Sequence, residues 1–188
     1  IVFRGDRLDF ILNDILPYDR TPSQWGGIFF RSESYNNIMD NVIVRNGKTG
    51  LTFEKSSPDE SKLKLNNSQI TNMGENLFFA LDCNIEVTNT ELTNAGGGVV
   101  VLIGGEYKFI HCTLANFMTL EKRTTSCLTM ANNANNEAHP LNATFDNCII
   151  DGSFDAGKEE YKGELNLSID GAASIEYIFN HCVVKTNG

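Results

Sequence analysis

The sequence predicts an all-β protein built as a coil of stacked rungs. Three observations carry this: a repeat of about 22 residues, a change of apolar phase at one asparagine or histidine in each repeat, and little helical periodicity anywhere. The repeat appears when HCTLAN at 111 is aligned with NVIVRN at 41, NSQITN at 67, NTELTN at 89, NCIIDG at 147 and HCVVKT at 181. Successive starts lie 26, 22, 22, 36 and 34 residues apart, so a fixed unit carries insertions. A second short strand marks each unit: GLTF at 50, NLFF at 76, GVVV at 98, SCLT at 126 and ELNL at 164. It follows the repeat start by 9, 9, 9, 15 and 17 residues, which places insertions near 117–125 and 153–163, with more around 132–142.

Within each unit, the residues four and two before the start are mostly apolar, as in Ile85 and Val87 or Tyr107 and Phe109. One and three after it they are apolar or small, as in Cys112 and Leu114 or Cys148 and Ile150. A strand keeps period two, so this slip of phase demands a bend at the start residue. That residue is Asn41, Asn67, Asn89, His111, Asn147 or His181. Asn and His are among the non-glycine residues enriched at positive φ. The position five later (Asn46, Asn72, Asn94, Asn116, Gly152, Thr186) reads as a second corner. His111–Cys112 could be a nucleophile beside its base, but the repeat makes His111 a corner and Cys112 an inward side chain, stacked with Cys148 and Cys182. Cys127 falls with Leu51, Leu77, Val99 and Leu165, a core position.

Length and composition fit one domain, 1–188, with a sizeable core. Net charge is −9 without a run of Lys and Arg, which argues against nucleic acid and anionic lipid as partners. No apolar run is long enough for a membrane span, and no signal peptide is visible. The start IVF and the end HCVVKTNG read as cuts within a longer, exported chain. Five cysteines without C-x-x-C spacing support neither a zinc site nor a paired disulfide framework.

Six repeats plus the WGGIFF strand (25–30) amount to about six to seven rungs, roughly 30 Å of coil at the usual strand spacing. The motif N-[CST]-x-[ILV]-x-N resembles the right-handed parallel β-helix, the pectate-lyase-like superfamily, over nearly the whole chain. Handedness comes from that resemblance and from the preference for right-handed parallel crossovers. FRGDRLD at 3–9, LPYDRTPSQWGGI at 16–28 and VRNG at 44–47 are similar to β-helix surface lipoproteins of Gram-negative anaerobic gut bacteria. That resemblance implies an extracellular or outer-membrane location, a lipid anchor through a missing N-terminus, and further rungs or caps over ends that would otherwise expose unpaired backbone.

Enzymes of the superfamily imply clustered carboxylates, with Ca²⁺ and a basic residue in the lyases or with paired Asp in the galacturonases. Two outward columns next to the corner are candidates to hold them. Ile43, Gln69, Glu91, Thr113, Ile149 and Val183 contain one acid; Asp40, Asn66, Thr88, Ile110, Asp146 and Asn180 contain two, three rungs or more apart. Neither assembles a catalytic or metal site, so no cofactor is expected. DAGKEEYKGE at 155–164 reads as a solvated loop, with a calcium or substrate role as the less favoured alternative since its spacing matches no known calcium loop, and RGD at 4–6 reads as a strand end and loop.

Two binding surfaces remain. GGGVVVLIGG (96–105) is apolar throughout, with Phe78, Val100 and Leu128 pointing outward on adjacent rungs. This strip is either an interface or covered by the 117–125 insertion. Tyr18, Trp25 and Tyr35, near Arg20 and Arg31, form a candidate glycan contact. The leading expectation is a non-catalytic surface module, a scaffold or recognition surface for polysaccharide or outer-membrane proteins. The runner-up is a polysaccharide lyase or glycoside hydrolase whose active site lies outside this segment or escapes recognition. A third class, a phage-tail or adhesin-like fibre, predicts trimerisation. Fold alone selects none of them.

Overall fold

In the computed structural model, residues 1–6, 18–154, 163–171 and 173–186 are described. The chain winds as a parallel coil in which each rung contributes three short strands. The first face is made by Ile28–Phe30, Leu51–Phe53, the first half of Phe78–Thr88, the first half of Val100–Ile110, Leu128–Ala131 and Leu165–Ser168. The second face takes Asn37–Asp40, Ser61–Asn66, the second halves of the two long strands, Leu141–Asp146 and Ile175–Asn180. The third is a seven-stranded sheet in the order Val2–Phe3, Ile43–Arg45, Gln69–Met73, Glu91–Ala95, Thr113–Asn116, Ile149–Gly152 and Val183–Val184. Among the described residues, every ladder between strands of neighbouring rungs is parallel; Gly163 and Thr186 form a single antiparallel bridge, and an antiparallel pair, Asn133–Ala134 with Glu137–Ala138, forms within an insertion.

The corner between the second and third faces lies where the phase slip requires it. Asn41, Asn67, Asn89, His111, Asn147 and His181 have φ of +52°, +51°, +48°, +53°, +54° and +53°. The residue after each corner explains the rest of the motif. Ser68 Oγ donates to Asn66 O at 2.6 Å and Thr90 Oγ1 to Thr88 O at 2.8 Å. Cys112, Cys148 and Cys182 reach the equivalent carbonyls at 3.3, 3.4 and 3.3 Å. In return the Val42 amide donates to Ser68 Oγ and the Cys148 amide to Cys182 Sγ, on the neighbouring rung. A sharp bend would orphan these backbone groups inside the coil, and a small side chain with a donor and an acceptor satisfies them. Replacing His111 by valine is expected to lower stability by about 1–2 kcal/mol, since a β-branched residue resists positive φ, while glycine there should be nearly neutral. Urea midpoints of the two variants check this.

The second corner holds for half the rungs. Asn46, Asn72 and Asn94 have φ of +62°, +60° and +64°, and Asn72 Nδ2 donates to Asn46 Oδ1 at 2.7 Å. Asn116, Gly152 and Thr186 are not at positive φ. Asn116 turns inward, fully buried, accepting from the Ala95 amide and donating to Ala95 O and Gly97 O, where the 117–125 insertion leaves the rung. A third corner, between the first and second faces, was not foreseen. It bends both long strands in their middle, at Asp82 (φ +48°) and at Gly104 and Gly105 (φ +58° and +93°). A Cβ on Gly105 would lie 2.4 Å from Cys83 O, so the rungs can approach there only without one.

Inward side chains form one continuous core. A phenylalanine column runs its length: Phe30 stacks on Phe53 at 4.6 Å and Phe53 meets Phe78 at 5.0 Å. Phe78 then contacts Phe109 edge-on at 6.1 Å, and Phe109, Phe145 and Phe179 stack at 5.0 and 4.9 Å. The edge contact carries the column from the first face to the second, past Ala80.

Candidate functional site

The outward strip expected at Phe78, Val100 and Leu128 is overturned: all three are fully buried. The register pairs Leu51 with Phe78, Phe78 with Val100, Val100 with Leu128 and Leu128 with Leu165. Alignment on Leu77, Val99 and Cys127 was therefore one residue early, and a one-residue slip exchanges the two faces of a strand. Leu77, Val99 and Cys127 are buried as well, because they lie in the turn that enters the strand. The outward residues here are Phe79, Val101 and Thr129, all half-buried.

Nor do Tyr18, Trp25 and Tyr35 make one platform. Trp25 packs against the core, its Nε1 donating to Arg45 O at 2.8 Å. Tyr18 lies in a single 3-10 turn whose carbonyl accepts from Gln24. Tyr35 sits beyond the other end of the Ile28–Phe30 strand, its hydroxyl accepting from the Ser57 amide and its ring covered by Lys62 Nζ at 4.9 Å. Lys62 is itself buried and donates to Arg31 O and Ser32 O, so it pins a turn. Within RGD, Gly5 is buried against Gln24. Of the acidic stretch 155–164, residues 155–162 lie outside the described ones.

His111 is exposed at its corner while Cys112 is buried inside the coil, so the two belong to the scaffold. Cys83 is no better placed as a nucleophile. Burial pushes its thiol up, against a pull downward from Ser56 Oγ at 3.3 Å. Tyr107, whose hydroxyl accepts from the Cys83 amide, is held well above the usual phenol range by its own burial.

The polar surface that the structure does assemble lies on the outward side of the second face. Parallel register brings Lys64, Glu86, Lys108, Thr144 and Ile178 into one column, and Asn84, Glu106, Asn142 and Glu176 into the next. Asn84, Glu86, Glu106, Lys108, Asn142 and Thr144 line an open groove of about 250 Å³ there. Glu86 stands between Lys64 and Lys108 on the neighbouring rungs, and Glu106 between Asn84 and Asn142. In-register neighbours lie about 4.8 Å apart, so the groove offers amides, carboxylates and an ammonium at a regular interval. Glu86 and Glu106 are diagonal neighbours, so one outward face does carry carboxylates from adjacent rungs. These columns lie three and five residues before each corner, farther from it than the two columns in which the sequence shows no cluster of acids.

The third corner precedes this groove along the chain, Asp82 lying two residues before Asn84. His139 Nδ1 donates to Asp82 Oδ2 at 2.8 Å, and Lys55 Nζ lies 3.5 Å from Asp82 Oδ2 and 3.8 Å from Glu137 Oε2. The His139 side chain is only 4% exposed. It cannot meet a ligand in the groove, and the dyad serves to fasten the 133–138 hairpin to the corner. Among the described residues, no group of three or more His, Cys, Asp or Glu could hold a metal ion.

A family model described as right handed beta helix region matches residues 12–114. No curated protein and no solved structure matches the chain.

Proposed function

Because the chain belongs to the right-handed β-helix family, we propose that it acts as a recognition module that holds a hydroxyl-rich polysaccharide along the second outward face. What supports this is the groove lined by Asn84, Glu86, Glu106, Lys108, Asn142 and Thr144. Its side chains are donors and acceptors for sugar hydroxyls, and they recur from rung to rung as the units of a polymer do. The mix of signs suits a neutral chain better than a strongly charged one. On this reading the module works at the cell surface, outside the cytoplasm, where polysaccharide is met. A second reading, hydrolysis, is favoured by one observation: Glu86 and Glu106 share this face as diagonal neighbours.

The test is binding of the protein to a panel of neutral and acidic polysaccharides, with released chain ends assayed in parallel. Binding is expected to a neutral polysaccharide without release of ends. Glu106→Ala should weaken it about tenfold or more, since a hydrogen bond to a charged group contributes about 1.5–3 kcal/mol. Binding that ignores Glu106→Ala and Asn142→Ala would sink the assignment of this face. Release of ends abolished by Glu86→Gln would establish the hydrolytic reading in its place.

A further inference from the structure

A second open groove lies on the other side of the corner row, over the third face. Its volume is about 540 Å³, and it is lined by Asn41, Asn67 and Asn89 at the corners and by Ile43, Gln69 and Glu91 two residues past them. The rungs of Asn67 and Asn89 are stacked between those of Asn41 and His111, so the groove opens sideways from the coil.

Positive φ does not demand an amide at these corners, since His111 holds the same bend at +53°. The asparagines do more than turn the chain. Asn89 Nδ2 donates to Asn67 Oδ1 at 3.3 Å, Asn67 Nδ2 to Asp40 Oδ1 at 2.9 Å and Asn41 Nδ2 to Asp40 Oδ2 at 2.9 Å. Beside this ladder, Gln69 Nε2 donates to Glu91 Oε2 at 3.2 Å and Thr93 Oγ1 to Glu91 Oε1 at 3.0 Å. Both carboxylates are thus met by neutral donors, and neither Lys nor Arg lines the groove. That chemistry suits a neutral ligand better than an anion or a cation. A side-chain amide has two N–H groups and two acceptor lone pairs. The ladder uses one N–H each of Asn67, Asn89 and Gln69 and one lone pair of Asn67, and the rest remain for a ligand. These side chains are held before any ligand arrives, so binding need not order them.

We propose that this groove is a second glycan-contact site, for the same neutral polysaccharide that the second face takes; the inference rests on that reading. Hydroxyls both donate and accept, as the free positions of Asn67, Asn89 and Gln69 do, and the rungs present them about 4.8 Å apart. The two grooves meet on one rung: Asn84 and Glu86 line the first, Asn89 and Glu91 the second. Thr88 lies between them, its Oγ1 donating to Asn66 Oδ1 at 3.0 Å, so the surface joining the grooves is polar as well. One polymer therefore engages both. Its second contact forms within the complex already made by the first, which raises affinity for long chains far above that for short ones.

The experiment is affinity electrophoresis of the full chain through gels holding β-glucan, mannan or galactan. It compares the unaltered protein with Gln69→Ala, Asn89→Gly, Glu106→Ala and the combination of Gln69→Ala with Glu106→Ala. Against the polymer that retards the unaltered protein, Gln69→Ala and Asn89→Gly are each expected to weaken binding about tenfold, and the combination to abolish it. A trisaccharide of that polymer should compete about a hundredfold less well than the polymer itself. Gln69 is exposed and glycine accepts the corner φ, and unfolding midpoints verify that both variants fold. Unchanged retardation of Gln69→Ala and Asn89→Gly, with loss in Glu106→Ala, would overturn the second site and leave the first standing. Loss in Gln69→Ala with none in Glu106→Ala would establish this groove and sink the first. Absence of retardation by any of the polymers would overturn both.

Discussion

Phe109→Ala is expected to destabilise the protein by about 3–5 kcal/mol, the cost of removing a large aromatic from a core that cannot collapse around the gap. Phe109 is fully buried and touches both Phe78 and Phe145, so it joins the two halves of the aromatic column. The cavity would open at the point where the column passes from the first face to the second. Backbone ladders on both sides hold the rungs at fixed spacing, which leaves little room for relaxation. Phe29, outward on the first face and 52% exposed, is the control: its replacement by alanine should cost a small fraction of that. Urea unfolding of both variants gives the comparison, and equal midpoints would contradict the described packing.

Glu164→Ala should have an effect of the same size, for an electrostatic reason. Glu164 and Arg123 form an ion pair at 2.7 Å with side-chain exposures of 0% and 3%. The carboxylate also accepts from the Cys127 and Phe154 amides, while the guanidinium donates to Asn116 O and Ser153 Oγ and lies 4.1 Å from the Phe154 ring centroid. Breaking such a pair leaves an uncompensated buried charge, which costs about 3–5 kcal/mol. Glu164→Ala strands the guanidinium and two amides; Arg123→Met strands a carboxylate that keeps its two amide donors. The first is expected to be the more destabilising in thermal or urea melts. An effect below about 1 kcal/mol for Glu164→Ala would mean that the pair is open to water and is merely a surface salt bridge. The pair ties the 117–125 insertion to the strand entry at 164, so cleavage by protease within 117–125 should rise in parallel.

The corners show how far one chain can be read. Asn41, Asn67, Asn89, His111, Asn147 and His181 were legible because a corner is a local event: a phase slip in apolar period meets a residue tolerant of positive φ. The Ser/Thr/Cys slot was legible as small and inward for the same reason. The first face was misread by one residue because its entry turn buries Leu77 and Phe78 alike. Apolar pattern cannot assign register where consecutive residues are both inward. Asn116 defeated the second corner, since an insertion recruits its amide to cap the preceding rung.

The repeat, the six corners between second and third faces, and a parallel coil of about six to seven rungs all follow from the order of residues along the chain. Each follows from a local rule applied to neighbours in the chain. Stacking between rungs sets the rest: the register that buries Phe78, Val100 and Leu128, the Arg123–Glu164 pair joining residues 41 apart, and the groove between Asn84 and Thr144. These are contacts between successive rungs, along the coil axis. Insertions of unequal length change which residues become neighbours there, and strand period alone carries no record of it.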